Sequence, residues 1–296
     1  MPPKSESEIM ETIDKISGEA EKIDAIAEIR GHLRPESDSK FYPIIQKYNN
    51  GNLNLEEAIQ TLLEPIEKAN DGEDINALDL WYSFIHSAKR TPFRNAESHD
   101  RLGKLLKGIK VHSNNEAPKD DYAGLRDFGL AARETMNDSP GVGAGYTEPE
   151  AHAYANMQYF YATISRDGTF DLWLYAIWEM RAALENHQAD DGPDDAHKPG
   201  TALQKYRARV PAAAAWIFGA GHKLYQKEED LTPKRPNEGN PARGGELWKG
   251  MAGFSKERWA LWKSRFEEIG QMDNVDEYTR NIAKEAVSAM AESEKS

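Results

Sequence analysis

Seven side chains combine charge or ring nitrogens with a spacing that could hold a ligand: Arg181, Glu185, His152, Arg258, Trp259, Trp262 and Arg265. Arg181 and Glu185 are four residues apart, one turn of a helix, so they can form an ion pair along one face. An arginine pointing into a pocket could instead clamp a carboxylate or phosphate. At 100° per residue, Trp259, Trp262, Phe266 and Ile269 fall in one stripe, with Arg258 and Arg265 on one flank and Lys256 and Lys263 on the other. That stripe can be a basic-aromatic platform for an anion or a nucleotide base. It can equally be a core-facing stripe whose edges are covered by cationic stems. His152, Asn156 and Tyr159 align on the less apolar side of their segment. They could transfer a proton in a cleft, or form a partly wet packing face.

Other motifs weaken when their chemistry is spelled out. Asp190-Asp191-Gly192-Pro193-Asp194 has the Asp-Asp-x-x-Asp form by which terpene synthases hold magnesium against a diphosphate. Gly192-Pro193 breaks any helix that would align those carboxylates, so an acidic solvated loop is expected, even with His187 and His197 flanking it. Gln46 to Glu57 has the glycine and terminal glutamate of a calcium loop, but Gln46 and Tyr48 stand where carboxylates are needed. A helix-turn-helix is expected there. Gly141-Val142-Gly143-Ala144-Gly145 follows no strand and has no P-loop lysine, so it reads as a flexible connector. No Gly-x-Ser-x-Gly elbow is present. With no cysteine, disulfides, thiolate metal sites and cysteine nucleophiles are excluded. No catalytic residue, metal site or cofactor is expected.

The elements that must position these groups read as helices from end to end. The chain has 296 residues, a hydrophobic fraction of 39%, and 37 basic against 50 acidic residues, for a net charge of −13. The acidic field argues against nucleic-acid binding by the whole chain. The stretch 234–265 runs against it: Lys234, Arg235, Arg243, Lys249, Lys256, Arg258, Lys263 and Arg265 face only Glu238, Glu246 and Glu257. The mean hydropathy of −0.76 and the short apolar run Pro211–Gly221 argue against a membrane span. The polar N-terminus lacks a signal core, so the cytoplasm or nucleus is expected.

Capping signals and apolar periodicity predict about ten helices. The first is opened by Ser5 and Glu8 and carries Ile9, Ile13, Ile16 and Ile23 as one element to Arg34-Pro35. Asn54 and Glu57 open another, in which Pro65 should bend or end the helix. Thr147-Glu148-Pro149-Glu150 begins a helix over 148–166, and further helices are expected over 170–187, 201–227 (with Pro211 as a kink), 255–270 and about 274–290. The fold class is all-α, irregular and multi-helical: a single domain over 5–292, with possible lobes 5–112 and 120–292 about a hinge at Val111–Asp121. Residues 1–4 and 293–296 are expected to be disordered tails.

Several of these stretches resemble a known family. Leu80-Trp81 through Ala88, Arg101-Leu102, Leu105-Leu106, Tyr154 to Phe160, Leu184-Glu185 and Ala215-Trp216-Ile217 are similar to its N-terminal and central helices. The closest likeness is Leu247-Trp248 followed by Gly253-Phe254-Ser255-x-Glu257-Arg258-Trp259-x-x-Trp262-x-x-Arg265-Phe266. The family is the ascomycete one called domain of unknown function 3632, and the resemblance spans roughly residues 20–290. Tyr122–Arg133 departs from it, lacking the expected tryptophan and proline. The resemblance implies a fungal source and a helical fold, and it supplies no catalytic residue or cofactor. The leading expectation is a non-catalytic interaction or accessory protein of fungal physiology or secondary metabolism, with a protein partner. The alternative is a small-molecule binder or enzyme, with isoprenoid diphosphates as one ligand class, whose aromatic pocket would lie among 148–166, 170–187 and 255–270, with Arg181, Glu185, His152 and Arg258 as its polar groups.

Overall fold

The computed structural model describes residues 6–68, 76–116, 125, 127–192, 198–235 and 237–295. The chain divides into two compact units, Met1–Ala144 and Gly145–Ser296. Both are helical, with one two-strand ladder among the described residues. No helix among those residues is long and apolar enough to cross a membrane.

The first unit holds α1 (Glu6–Ile13), α2 (Glu19–Arg30), α3 (Tyr42–Asn49), α4 (Leu55–Glu67), α5 (Ala77–Arg90), α6 (Ala96–Glu116) and α7 (Phe128–Thr135). Its core is built on α5, where Leu80, Trp81, Phe84, Ile85 and Ala88 are all buried and Trp81 meets Phe128 edge-on at 5.7 Å. The expected first helix is in fact two. Gly18 is extended (φ −86°, ψ 137°) and begins α2, because glycine inside a helix costs about 1 kcal/mol and the chain turns there instead. Ser5 lies outside the described residues. Asn54 caps α4 as expected, its Oδ1 accepting the Glu57 N–H at 2.9 Å. Pro65 lies inside α4, which continues to Glu67. Residues 111–116 of the expected hinge prolong α6, and 117–121 lie outside the described residues. The glycine-rich stretch expected to be a flexible connector is folded over 139–144. Gly143 N–H donates to the Asn137 carbonyl at 2.8 Å, and a Cβ at Gly143 would sit 2.4 Å from that oxygen.

The second unit holds α8 (Glu148–Arg166), α9 (Trp173–Met180), a π-helical turn (Arg181–Glu185), α10 (Ala202–Gln226), β1 (Glu229–Asp230), β2 (Gly253–Phe254), α11 (Lys256–Ile269) and α12 (Glu277–Ser293). Capping boxes open α8 at Thr147/Glu150 and α10 at Thr201/Gln204. The central element is α10, packed against α8 and α12. Its run Ala212–Ala215 and its glycines permit close approach: a Cβ on Gly219 would lie 2.8 Å from the Ala162 Cβ, and one on Gly221 2.8 Å from the Ser293 Oγ. α10 continues through Pro211, the expected kink position. The ladder pairs Glu229 with Phe254 and Asp230 with Gly253, antiparallel, and ties both ends of a long loop between α10 and α11. Sequence periodicity gave no sign of these two-residue strands. Ser293, expected in a disordered tail, ends α12, and Glu294 accepts Trp259 Nε1–H at 2.9 Å and the Lys263 ammonium at 2.7 Å.

Candidate functional site

The carboxylate of Glu185 and the guanidinium of Arg258 meet in the interior of the second unit, both side chains fully buried. Glu185 ends the π-turn. A π-turn takes about one residue more per turn than an α-helix, so the wheel that aligned Arg181 with Glu185 does not hold here. Arg258 lies in the first turns of α11, behind the Ser255 cap that accepts its backbone N–H at 3.2 Å.

Every donor of Arg258 is occupied. Nε donates to Glu185 Oε1 at 2.7 Å and Nη2 to Glu185 Oε2 at 3.0 Å. The remaining N–H groups reach backbone carbonyls: Nη1 donates to Ala242 at 2.9 Å and Gly253 at 2.8 Å, and Nη2 to Arg243 at 3.1 Å. That matches the five donors a guanidinium possesses. Glu185 is equally filled, its carboxylate also accepting Trp262 Nε1–H at 2.6 Å and Gly245 N–H at 2.9 Å. Four donors on one carboxylate saturate its lone pairs. Such a buried pair is tolerable only because all its hydrogen-bonding capacity is met.

The other candidates join this clasp or lie apart from it. Glu185 was the local partner expected for Arg181; the structure gives Glu185 to Arg258. Half-buried Arg181 donates through Nη1 to the carbonyls of Pro241 at 3.0 Å and Arg243 at 2.9 Å, while Trp178 Nε1 also donates to Pro241 at 3.0 Å. Burial lowers the Arg181 pKa, and Arg243 adds to the effect. Arg265 Nε donates to the Leu184 carbonyl at 3.1 Å, and its Nη1 pairs with Glu268. Trp259 and Trp262 are buried, so the aromatic stripe faces the core rather than an open platform. His152 is outside the clasp: its ring lies 5.5 Å from Tyr278 of α12, and Nε2 is 4.0 Å from Glu148. Arg181, Glu185 and Arg258 thus hold one loop by its main-chain groups, and His152 lies apart from them.

Asp190 and Asp191 serve the start of α10. Asp190 Oδ1 accepts Ala202 N–H at 2.7 Å, Asp191 Oδ2 accepts Gly200 N–H at 3.0 Å, and Asp191 pairs with Lys205. Asp194, Asp195 and His197 lie outside the described residues. Among those described, no group of three or more His, Asp or Glu side chains could hold a metal ion.

Two features escaped sequence reasoning. Glu179 of α9 is buried, and Tyr154 of α8 donates its hydroxyl to Glu179 Oε1 at 2.8 Å. Burial raises the Glu179 carboxyl to about 7, against the lowering effects of that hydrogen bond and of Arg209 and Arg181. Burial also raises the Tyr154 hydroxyl well above its usual value. Its place in an apolar helix was the available signal. The second feature is a cleft of about 620 Å³ under the clasped loop, walled by Trp173, Leu174, Leu231, Pro241, Ala242 and Phe254. Its lining comes from segments far apart in sequence.

The chain is thus a mostly helical protein whose long loop is clasped by a buried ion pair. The chain belongs to the family described as Protein of unknown function (DUF3632), whose model matches residues 81–266. That span contains every residue of the clasp. No curated protein and no solved structure matches the chain.

Proposed function

We propose that this chain is a non-catalytic helical interaction protein, an accessory or regulatory factor working in the cytoplasm or nucleus of a fungal cell. The observation that carries the reading is the saturation of the clasp. The most distinctive polar side chains, Glu185, Arg258 and Trp262, direct their hydrogen bonds at one another and at the backbone of a single loop. That is the work of architecture.

The partner face we assign is the groove between α4 and α6 of the first unit, about 720 Å³, lined by Leu55, Ile59, Gly108 and Val111. Val111 is 50% exposed and Leu55 38%. Gly108 lets Ile59 of α4 pack close against α6 at the groove floor, since a Cβ there would meet Ile59 Cδ1 at 2.4 Å. Lys104 and Lys107 stand along its α6 side. An apolar floor with a cationic edge fits an amphipathic helix carrying acidic residues beside its apolar stripe. The test is fluorescence anisotropy of a labelled acidic amphipathic peptide titrated with the full chain. Binding that falls at least tenfold for Lys104→Glu/Lys107→Glu and for Val111→Asp, and that weakens with salt, supports the reading. Equal binding by all three proteins refutes it.

A further inference from the structure

The second unit contains six tryptophans, and five of their indole N–H groups have an acceptor: Trp178 in Pro241, Trp216 in Gln158, Trp248 in Met251, Trp259 in Glu294 and Trp262 in Glu185. The sixth is Trp173, at the start of α9, which lines the cleft beneath the clasped loop. Among the described residues its indole nitrogen has no hydrogen-bond acceptor. Lys227, just past the end of α10, lines the same cleft. Its Nζ sits 5.1 Å from the Trp173 ring centroid and 5.4 Å from that of Phe254, and Glu229 is 3.5 Å away as an ion pair. The cleft therefore sets one ammonium, paired with Glu229, beside apolar and aromatic walls.

We propose that this cleft binds a small apolar monocarboxylate, with its body against Trp173, Leu174 and Phe254 and its carboxylate on the Lys227 ammonium. The volume of about 620 Å³ is that of a small-molecule site. The rim limits the ligand to a single negative charge. Asp171, Glu229 and Glu238 border the cleft against Lys227 and Lys234, so a diphosphate would meet more negative than positive charge. One carboxylate needs only one cation and displaces only Glu229. The walls are preorganised, because the carbonyls of Pro241 and Ala242 are held by Arg181, Trp178 and Arg258 and because Leu231 N–H donates to the Ala252 carbonyl at 2.8 Å. Rigid walls reduce the ordering lost on binding.

The experiment is calorimetric titration of the full chain with 2-naphthoate and with its neutral counterpart, 2-naphthamide. The expected result is naphthoate binding at least tenfold tighter than naphthamide. Lys227→Met, which keeps the stem against both rings, removes that preference without changing naphthamide binding. Trp173→Leu weakens both ligands, and an unchanged melting temperature establishes that each variant is folded. Equal affinity for acid and amide, survival of the preference in Lys227→Met, or no heat at millimolar naphthoate overturns the proposal.

Discussion

Cutting the clasp from either side tests the interior of the second unit most directly. Glu185→Gln keeps the shape of the side chain and leaves Arg258 buried without its counter-charge. One amide oxygen can accept at most two of the four donors that now converge on the carboxylate. Arg258→Met strands the carboxylate, frees the carbonyls of Ala242 and Gly253, and leaves the Arg243 carbonyl to Arg181 alone. Removing one partner of a buried pair costs about 3–5 kcal/mol, so each single substitution should cost about 4. The double substitution Glu185→Met/Arg258→Met removes both charges. It leaves two carbonyls, the Trp262 indole and the Gly245 N–H without partners, at about 1 kcal/mol each, while the Arg243 carbonyl keeps its bond from Arg181. Its cost is then about 4 rather than the 8 of the summed singles, a coupling of about 4 kcal/mol. Urea unfolding followed by tryptophan fluorescence suits the measurement, since six of the seven tryptophans lie in this unit. Singles costing under 1 kcal/mol each, or a double equal to their sum, would refute the clasp as the element that holds the loop.

Three other perturbations bear on separate parts of the structure. Gly245→Ala should destabilise by about 2–3 kcal/mol in the same urea assay, because the new Cβ would lie 2.5 Å from Asn186 Oδ1 and 2.7 Å from the Glu185 carbonyl. Glu179 titrates in the folded chain near 7 against an ordinary 4.5, so the folded state holds its proton more tightly. The sign follows: wild-type stability should fall as pH rises from about 4.5 through 7, by up to about 3 kcal/mol relative to Glu179→Gln. Parallel stability curves for the two proteins between pH 5 and pH 8 would contradict this. In the first unit, Asn54→Ala should cost about 1 kcal/mol by circular dichroism at the α4 cap, with the clasp undisturbed.

What could be read in the chain depended on sequence distance. The caps at Asn54 and Thr147 act within three residues, and the helices they open begin where those residues predict. The break at Gly18 was hidden because the isoleucines continue their spacing on both sides of it. The π-turn at Arg181–Glu185 was invisible to a 100° wheel, and it severed the apparent pairing of those two residues. The partner of Glu185 lies 73 residues on, in a helix that looked like a separate basic-aromatic site. Spacing finds neighbours on one helix; it cannot find groups joined by a loop. Glu179 escaped for a related reason: its hydrogen-bond partner Tyr154 lies 25 residues earlier, on another helix.

The way the loop is held bears on where specificity can reside. Arg258 and Arg181 grip it through the carbonyls of Pro241, Ala242, Arg243 and Gly253, and Glu185 grips it through the Gly245 N–H and, by its own carbonyl, the Leu247 N–H at 2.8 Å. All of these are main-chain groups. Side-chain identity is restricted at Gly244, Gly245 and Gly253, where a Cβ would lie 2.1, 2.5 and 2.0 Å from its nearest neighbour, and the other gripped residues are held through main-chain atoms alone. Leu231 and Lys234, which line the cleft, can therefore change without loosening the support beneath them, whereas Glu185 and Arg258 cannot. The clasp residues should consequently govern stability, and the loop side chains together with Trp173 and Lys227 should govern what the cleft accepts. Measured against one another, Glu185→Gln should shift the unfolding midpoint, and Lys227→Met should shift ligand preference at an unchanged midpoint.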